Sequence, residues 1–383
     1  MNRPANNAAN HLFVFLEIFA REGGIQSYVK DIFRAYSALA DRADNSETIS
    51  AKVLLLRDRA NCDNPFASPQ LQFEYFSSSS PAIGRVKFAI ALLKTLLLQR
   101  PQRVFCGHIN LAPLVQAFCR PLGIPYTVLT YGKEVWEPLP ASYRNALQQA
   151  NSIWSISRYS RDRTCTCNQI ASEKVQLLPC VVDDDVFTPG SKSADLIQRY
   201  QLENAQVLMT VARLWSGDIY KGVDVTIRAL PQIAAAYPQV KYLVIGRGDD
   251  QPRLAQLAND LGIADRVVFA GFVPTKELID HYRTADAYIM PSQEGFGIVY
   301  LEAMACGIPV LSGDADGSAD PLQDGRLGWR VPHRDPDAVA AACLEILAGT
   351  DQRCNGNWLR EEALKAFSFE AITQQLNQLL SKA

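Results

Sequence analysis

Arg213 and Lys221 stand in V-A-R-L-W-S-G-D-I-Y-K-G-V-D, and Glu294 and Glu302 in S-Q-E-G-F-G-I-V-Y-L-E-A-M-A-C-G-I-P-V. A guanidinium offers a planar fork and an ammonium a mobile point charge, so the two cations together suit a diphosphate. Neutralisation matters most when the bond to the diphosphate breaks and charge gathers on the leaving oxygen. By position alone, a solvated loop with two ordinary cations reads equally well. The carboxylates suit sugars, because each can accept hydrogen bonds from adjacent hydroxyls. Glu294 lies in a loop where Gly295 and Gly297 bracket Phe296, which suits a sugar ring; Glu302, beside Ala303 and Ala305, suits a ribose. The competing chemistry is a glycoside hydrolase, with carboxylates about 5 Å or about 6.5–9.5 Å apart. Eight residues of loop and helix fix neither separation, and a surface glutamate on a helix is a third reading.

Gly23-Gly24 falls between a first strand and a first helix. Paired glycines let a ligand approach the backbone, and the helix start offers free N–H groups to an anion. A plain tight turn is the other reading. The pattern is not G-x-G-x-x-G, which removes support from a hydride-transfer enzyme. His108 follows Cys106-Gly107, and Lys133-Glu134 follows Tyr131-Gly132, both at strand ends. His108 could donate to a sugar hydroxyl or a phosphate oxygen, or be a satisfied structural histidine. No metal is expected. Cys165 and Cys167 are too close for the usual zinc spacing, and Asp314-x-Asp316 sits among loop glycines.

These residues need elements to hold them. Strands are expected at His11–Leu16, Val53–Leu56, Val104–Cys106, Tyr126–Thr130, Ser152–Ser155 and Val175–Leu178, with a helix from Ile25 to Ala40. Alternation restarts after Val182–Tyr200, read as a hinge. Strands then fall at Val207–Val211, Tyr242–Ile245, Val267–Phe269, Ala287–Met290 and Pro309–Leu311, and helices at Lys221–Ala236, Pro252–Leu261, Thr275–His281 and Val299–Ala305. A last helix is expected at Phe369–Leu380. Strands separated by helices argue for parallel sheets covered on both faces, with ligands beyond the strands' carboxyl ends.

The 383 residues exceed what one core usually needs, and a net charge of −2 gives no sign of nucleic-acid binding. Residues 1–185 hold 20 Lys+Arg and 16 Asp+Glu (+4), and the rest hold 18 and 24 (−6). Nine cysteines are too few for a disulfide framework in a chain of this length, and a reducing cytoplasm is the expected setting. The stretch Gly84–Arg103 carries five cations and no acid among many apolar residues. It reads as a core-packed helix or as one laid on an anionic membrane.

At Glu294–Pro309, E-G-F-G-I-V-Y-L-E-A-M-A-C-G-I-P resembles the E-x₇-E signature of retaining glycosyltransferases of family 4. The likeness extends to G-G at 23–24, A-R-L with K-G at 212–222, G-R-G at 246–248, A-G-F-V at 270–273 and D-G-R-L-G-W-R-V-P at 324–332. It implies the α/β GT-B fold, two Rossmann-like domains facing each other across a cleft. Residues 1–185 would bind acceptor, 186–365 the nucleotide sugar, and 366–383 would cross back as a helix.

The resemblance implies that Arg213 and Lys221 grip the donor diphosphate, that Glu302 holds the ribose and that Glu294 meets the donor sugar. It implies His108 near the transferred sugar, Gly24 beside the phosphates and Val273 near the base. Phe296, Gly297 and Ile298 would offer backbone N–H groups. His108, Arg213, Lys221 and Glu294 form the expected catalytic set. Transfer would retain configuration by front-face attack, without metal. The donor is expected to be a UDP-hexose, UDP-glucose first, ahead of GDP-mannose. The acceptor is expected to be a glycan or a polyprenyl-diphosphate-linked glycan of surface polysaccharide synthesis, reached in the cytoplasm or at the inner face of the plasma membrane. Alternatives are an isomerising or phosphorolytic enzyme of the same fold and a non-catalytic sugar-nucleotide binder. Asp320-Pro321 departs from the glutamate that many members carry, which touches subfamily rather than class.

Overall fold

The computed structural model of the chain describes residues 9–21, 23–42 and 49–381. They form two α/β units, one of residues up to Cys180 together with those from Ile372 on, the other Val181–Ala371.

The first unit holds seven parallel strands: β1 (Ala9–Phe15), β2 (Ile49–Leu55), β3 (Leu71–Tyr75), β4 (Arg103–Cys106), β5 (Tyr126–Thr130), β6 (Ser152–Ser155) and β7 (Val175–Leu177). Their order is β3-β2-β1-β4-β5-β6-β7. Its helices are α1 (Gly24–Arg42), α2 (Pro81–Leu98), α3 (Ala112–Leu122), α4 (Ala141–Gln148) and α5 (Arg158–Asn168). Leu12–Phe15 are buried without interruption, as a central strand covered on both faces requires. Helix α1 covers one face through Tyr28, Val29, Ile32, Phe33, Tyr36 and Leu39, the three-and-four spacing of a single apolar stripe. Phe13 stacks on Phe105 at 4.7 Å, and Phe33 meets Phe13 and Phe15 edge-on. Strand β3 is a strand that periodicity missed. It lies at the sheet edge and alternates buried with exposed over only five residues, too short a signal to separate from loop.

The second unit has six parallel strands: β8 (Val207–Val211), β9 (Lys241–Ile245), β10 (Val267–Gly271), β11 (Ala287–Met290), β12 (Val310–Gly313) and β13 (Trp329–Val331), ordered β10-β9-β8-β11-β12-β13. Helix α6 (Ala194–Tyr200) precedes them, inside the segment read as a hinge. The segment is therefore not all linker: Ser193 caps the helix by accepting from the Leu196 N–H, and α6 packs on α9. The others are α7 (Val223–Ala236), α8 (Gln251–Asp260), α9 (Thr275–Thr284), α10 (Ile298–Ala305), α11 (Pro336–Ala348), α12 (Gly356–Phe367) and α13 (Phe369–Ser381). From Ile372 on, α13 groups with the first unit, where Gln375 donates to the Leu177 carbonyl at 2.7 Å. The expected helix Lys221–Ala236 starts later: Ser216–Lys221 is a 3-10 turn, and Gly222, at φ +75°, separates it from α7.

Candidate active site

In each sheet the strand order reverses beside the first strand of its unit. In the second unit this happens between β8 and β11, whose following loops carry Arg213–Lys221 and Pro291–Gly297. Open α/β sheets bind ligands at such a crevice, beyond the carboxyl ends.

Glycines bring these loops together. A Cβ on Gly222 would lie 2.4 Å from the Pro291 carbonyl oxygen, so only glycine lets the turn after Lys221 touch the β11 exit. The Gln293 N–H donates to the Tyr220 carbonyl at 3.0 Å across the same seam. Lys221 Nζ consequently donates to Glu294 Oε1, pairing two of the predicted residues. The G-R-G segment anchors the other side. Gly246 and Gly248 lie so close to the carbonyls of Ala212 and Leu214 that a Cβ would fall 1.8 and 1.7 Å from those oxygens. The Leu214 N–H donates to the Arg247 carbonyl at 3.1 Å, which fixes the stretch that presents Arg213. Arg213 itself is mostly exposed and its Nε donates to Asp218 at 2.5 Å. That carboxylate holds the guanidinium pKa above its ordinary value.

The loop carrying Glu294 is braced from behind. Asp316 accepts from the Glu294 N–H at 2.5 Å and from the Ser318 N–H at 2.9 Å, while the Gly317 N–H donates to the Glu294 carbonyl at 2.8 Å. Burial pushes the Asp316 carboxyl up to about 7, against the pull of its hydrogen bonds. Gly297 has φ +91°, and a Cβ there would strike the Tyr300 ring at 2.4 Å. It opens α10, so the N–H groups around Gly297 and Ile298 begin a helix, a position suited to an anion. The Phe296 side chain is buried against Phe367 and leaves only its backbone to a ligand.

Glu302 sits inside α10 and accepts from the Tyr282 hydroxyl at 2.6 Å. Burial pushes its carboxyl up to about 7, opposed by that hydrogen bond. Val273 is buried after β10, two strands from β8, beside exposed Phe272, on whose ring the Arg247 guanidinium lies at 4.8 Å.

In the first unit the order reverses between β1 and β4. Gly24 and His108 follow these adjacent strands. A Cβ on Gly24 would meet nothing within 4 Å, so the space beside it is open. His108 Nδ1 accepts from the Asn110 N–H at 3.1 Å, which leaves the proton on Nε2. Burial first, then Arg57, lowers its pKa, with Glu17 opposing. His108 is therefore a neutral donor through Nε2. Gly107 is required beside it, because a Cβ would lie 1.9 Å from the Phe15 ring. Lys133 and Glu134 form a short 3-10 turn after β5, where half-buried Glu134 accepts from the Tyr131 N–H at 2.5 Å and braces the loop.

Sequence reasoning missed the supports. Asp58, fully buried, accepts from the N–H groups of Ile18, Phe19 and Ala20 at 2.6–2.9 Å and shapes the loop before Gly23. Nothing in a lone aspartate 38–40 residues away signals this. Asp316 stood out only as a weak metal ligand. Among the described residues, no group of three His, Cys, Asp or Glu is placed to hold a metal ion.

Comparison with known proteins follows the same lines. The family described as "Glycosyl transferases group 1" matches residues 205–349. The GDP-mannose-dependent alpha-(1-6)-phosphatidylinositol monomannoside mannosyltransferase of Mycolicibacterium smegmatis is 36% identical over 233 residues, 57% of this chain and 60% of that protein. The match therefore spans well under two thirds of that relative. The GDP-mannose-dependent monoacylated alpha-(1-6)-phosphatidylinositol monomannoside mannosyltransferase of Corynebacterium glutamicum is 30% identical over 379 residues, 94% of each chain. Anabaena HepE in complex with UDP shares the fold, with a TM-score of 0.77 at 19% identity over 98% of this chain and 100% of that one. The expected preference for a UDP-hexose is overturned by these relatives, both GDP-mannose-dependent by name. The resemblance sets Glu294 and Glu302 against the sugar and the ribose, parts that a UDP-sugar and a GDP-sugar share, so those residues do not carry the choice of base. A relative aligned over nearly the full length, together with two Rossmann-like units, places the chain in glycosyltransferase family 4, the group 1 glycosyltransferases of GT-B fold.

Proposed function

We propose that the protein transfers mannose from GDP-mannose, with retention at the anomeric carbon, to a phospholipid-linked glycan acceptor. The observation that carries this reading is the pairing of Lys221 with Glu294 beside Arg213 at the β8/β11 crevice. Cations and a sugar-binding carboxylate there meet the needs of a diphosphate sugar. The GDP-mannose dependence of the relatives supports the donor.

On this reading Arg213 and Lys221 neutralise the departing diphosphate, and the start of α10 adds its N–H groups. Glu302 accepts from the ribose hydroxyls and Glu294 from the mannose. His108, neutral, donates from Nε2 to a sugar hydroxyl or phosphate oxygen. The donor phosphate takes the acceptor's proton, so no protein nucleophile is needed. An anionic acceptor head group is supported by a cavity of about 220 Å³ in the first unit, lined by Arg57, Arg85, Ser77 and Ser78.

Incubating the protein with GDP-mannose or UDP-glucose, a phosphatidylinositol mannoside and, separately, a polyprenyl-diphosphate sugar, tests the reading. Mannosyl transfer to the phospholipid, with α-configured product and undiminished rate in EDTA, is expected. Transfer from UDP-glucose alone, an inverted product, or donor turnover without any acceptor would each refute it.

A further inference from the structure

The 3-10 turn Ser216–Lys221 stands between Arg213 and Lys221, and two of its side chains act on those cations. Asp218 departs from helical geometry inside the turn, at φ −111° and ψ 27°, and its N–H donates to the Trp215 carbonyl at 2.7 Å. At that kink its side chain is only 4% exposed, whereas the Arg213 side chain that it meets is 65% exposed. Arg213 Nε donates to the Asp218 carboxylate at 2.5 Å. Tyr220 closes a triangle, because its hydroxyl is hydrogen-bonded both to Asp218 and to the Arg213 guanidinium. The Tyr220 ring lies under Lys221 Nζ at 5.4 Å, so this side chain touches both cations. Its carbonyl accepts from the Gln293 N–H at 3.0 Å, which ties the turn to the loop of Glu294.

An exposed arginine samples many rotamers, and an exposed ion pair gains little because two mobile side chains must be held together. Here the carboxylate is already fixed by burial, so only the arginine has to be ordered. For folding alone a buried carboxylate is a poor choice. Its desolvation offsets much of the attraction, and an apolar residue of similar volume commonly serves a core as well. What Asp218 supplies is orientation. With Nε engaged, the plane of the guanidinium is set and most of its five N–H donors remain for a ligand. Orientation matters at a reacting centre, where a displacement of about 1 Å can cost about a hundredfold in rate.

We infer that Asp218 and Tyr220 are positioning residues that hold the Arg213 guanidinium at a fixed orientation and spacing from Lys221, so that both cations meet one diphosphate. The inference rests on the reading of Arg213 and Lys221 as the donor's diphosphate grip, and it requires neither Asp218 nor Tyr220 to touch the substrate.

The test is a double-mutant cycle, since residues that act through one another do not add. Asp218→Ala should lower kcat/KM about tenfold when Arg213 is present, and by less than about twofold in the Arg213→Ala background. The same factor in both backgrounds would assign Asp218 to the fold and overturn the inference, as would wild-type kcat/KM in Asp218→Ala. Should Asp218→Ala melt early, Tyr220→Phe decides the matter, because it keeps the ring and removes only the hydroxyl. It should lower kcat/KM about threefold, again only while Arg213 is present. No loss, or a loss that persists without Arg213, would overturn the inference. Read on GDP affinity by calorimetric titration, the cycle needs no turnover. A wrong donor or an absence of transfer therefore refutes the proposed reaction while the coupling of Asp218 to Arg213 remains, and loss of that coupling refutes this inference alone.

Discussion

The two units solve the same topological problem with different chemistry. At the β8/β11 crevice the second unit concentrates charge. Lys221 pairs with Glu294, Arg213 with Asp218, and Asp316 braces the backbone behind Glu294. At the β1/β4 crevice the first unit offers a neutral imidazole, an open glycine and a loop whose shape Asp58 sets from below. Arg57, which also lowers the His108 pKa, lines a cavity with Arg85, and further cations lie along α2. The contrast is between a crevice whose loops are tied together by ion pairs in one unit and, in the other, cations spread along a helix and a cavity rim.

Removing the second unit's cations should break the comparison most sharply. Lys221→Ala and Arg213→Ala are each expected to lower turnover roughly 10²–10³-fold. Thermal unfolding should shift little for Arg213→Ala, because that side chain is mostly exposed, and more for Lys221→Ala, which leaves the half-buried Glu294 without its partner, yet by far less than the loss of turnover. Comparable losses of turnover and melting temperature would assign both residues to the fold.

Next in size is the first unit's hidden support. Asp58→Ala leaves three backbone N–H groups without their acceptor and is expected to destabilise that unit by about 2–4 kcal/mol. Calorimetry should show the loss, and GDP binding at the second unit should survive below the new transition. A wild-type melting profile would mean that water replaces Asp58 at no penalty.

His108→Ala should reduce transfer about tenfold to a hundredfold through lost orientation. GDP affinity should be unaffected. A fall in GDP affinity instead would move His108 from sugar to nucleotide.

The smallest effect is a pH slope. Glu302 has its folded pKa raised to about 7, so it holds a proton that the unfolded chain releases. That contribution to stability is fully present below the unfolded value near 4.5 and is lost as pH rises through about 7. Ribose hydroxyls donate to the ionised carboxylate, so nucleotide affinity should run the opposite way. It should tighten about tenfold between about pH 6 and pH 8. Glu302→Gln should flatten that part of the profile in calorimetric titrations, and an unchanged slope would place the titration elsewhere.

Much of this was legible in residue order. Strands Tyr126–Thr130, Ser152–Ser155, Val207–Val211 and Ala287–Met290 stand where apolar runs put them, because buried parallel strands are nearly all apolar. Strand β3, with its weak alternation, was not, and neither was α6 inside an acidic, proline-bearing segment. Of the site, Lys221 and Glu294 were legible as candidates and the structure pairs them, whereas the supporting roles of Asp218, Asp316, Tyr282 and Asp58 could not be read from residue order. Each acts on a group that is its neighbour only after folding.

The sequence by itself determined the alternation of strand and helix, the glycines at 222, 246 and 297, and the identity of the charged residues. All of these follow from local preference or composition. Only the tertiary structure decided which strand order creates a crevice and which carboxylates are buried and raised in pKa. Those properties depend on what covers each side chain, and cover is supplied by residues remote in the chain.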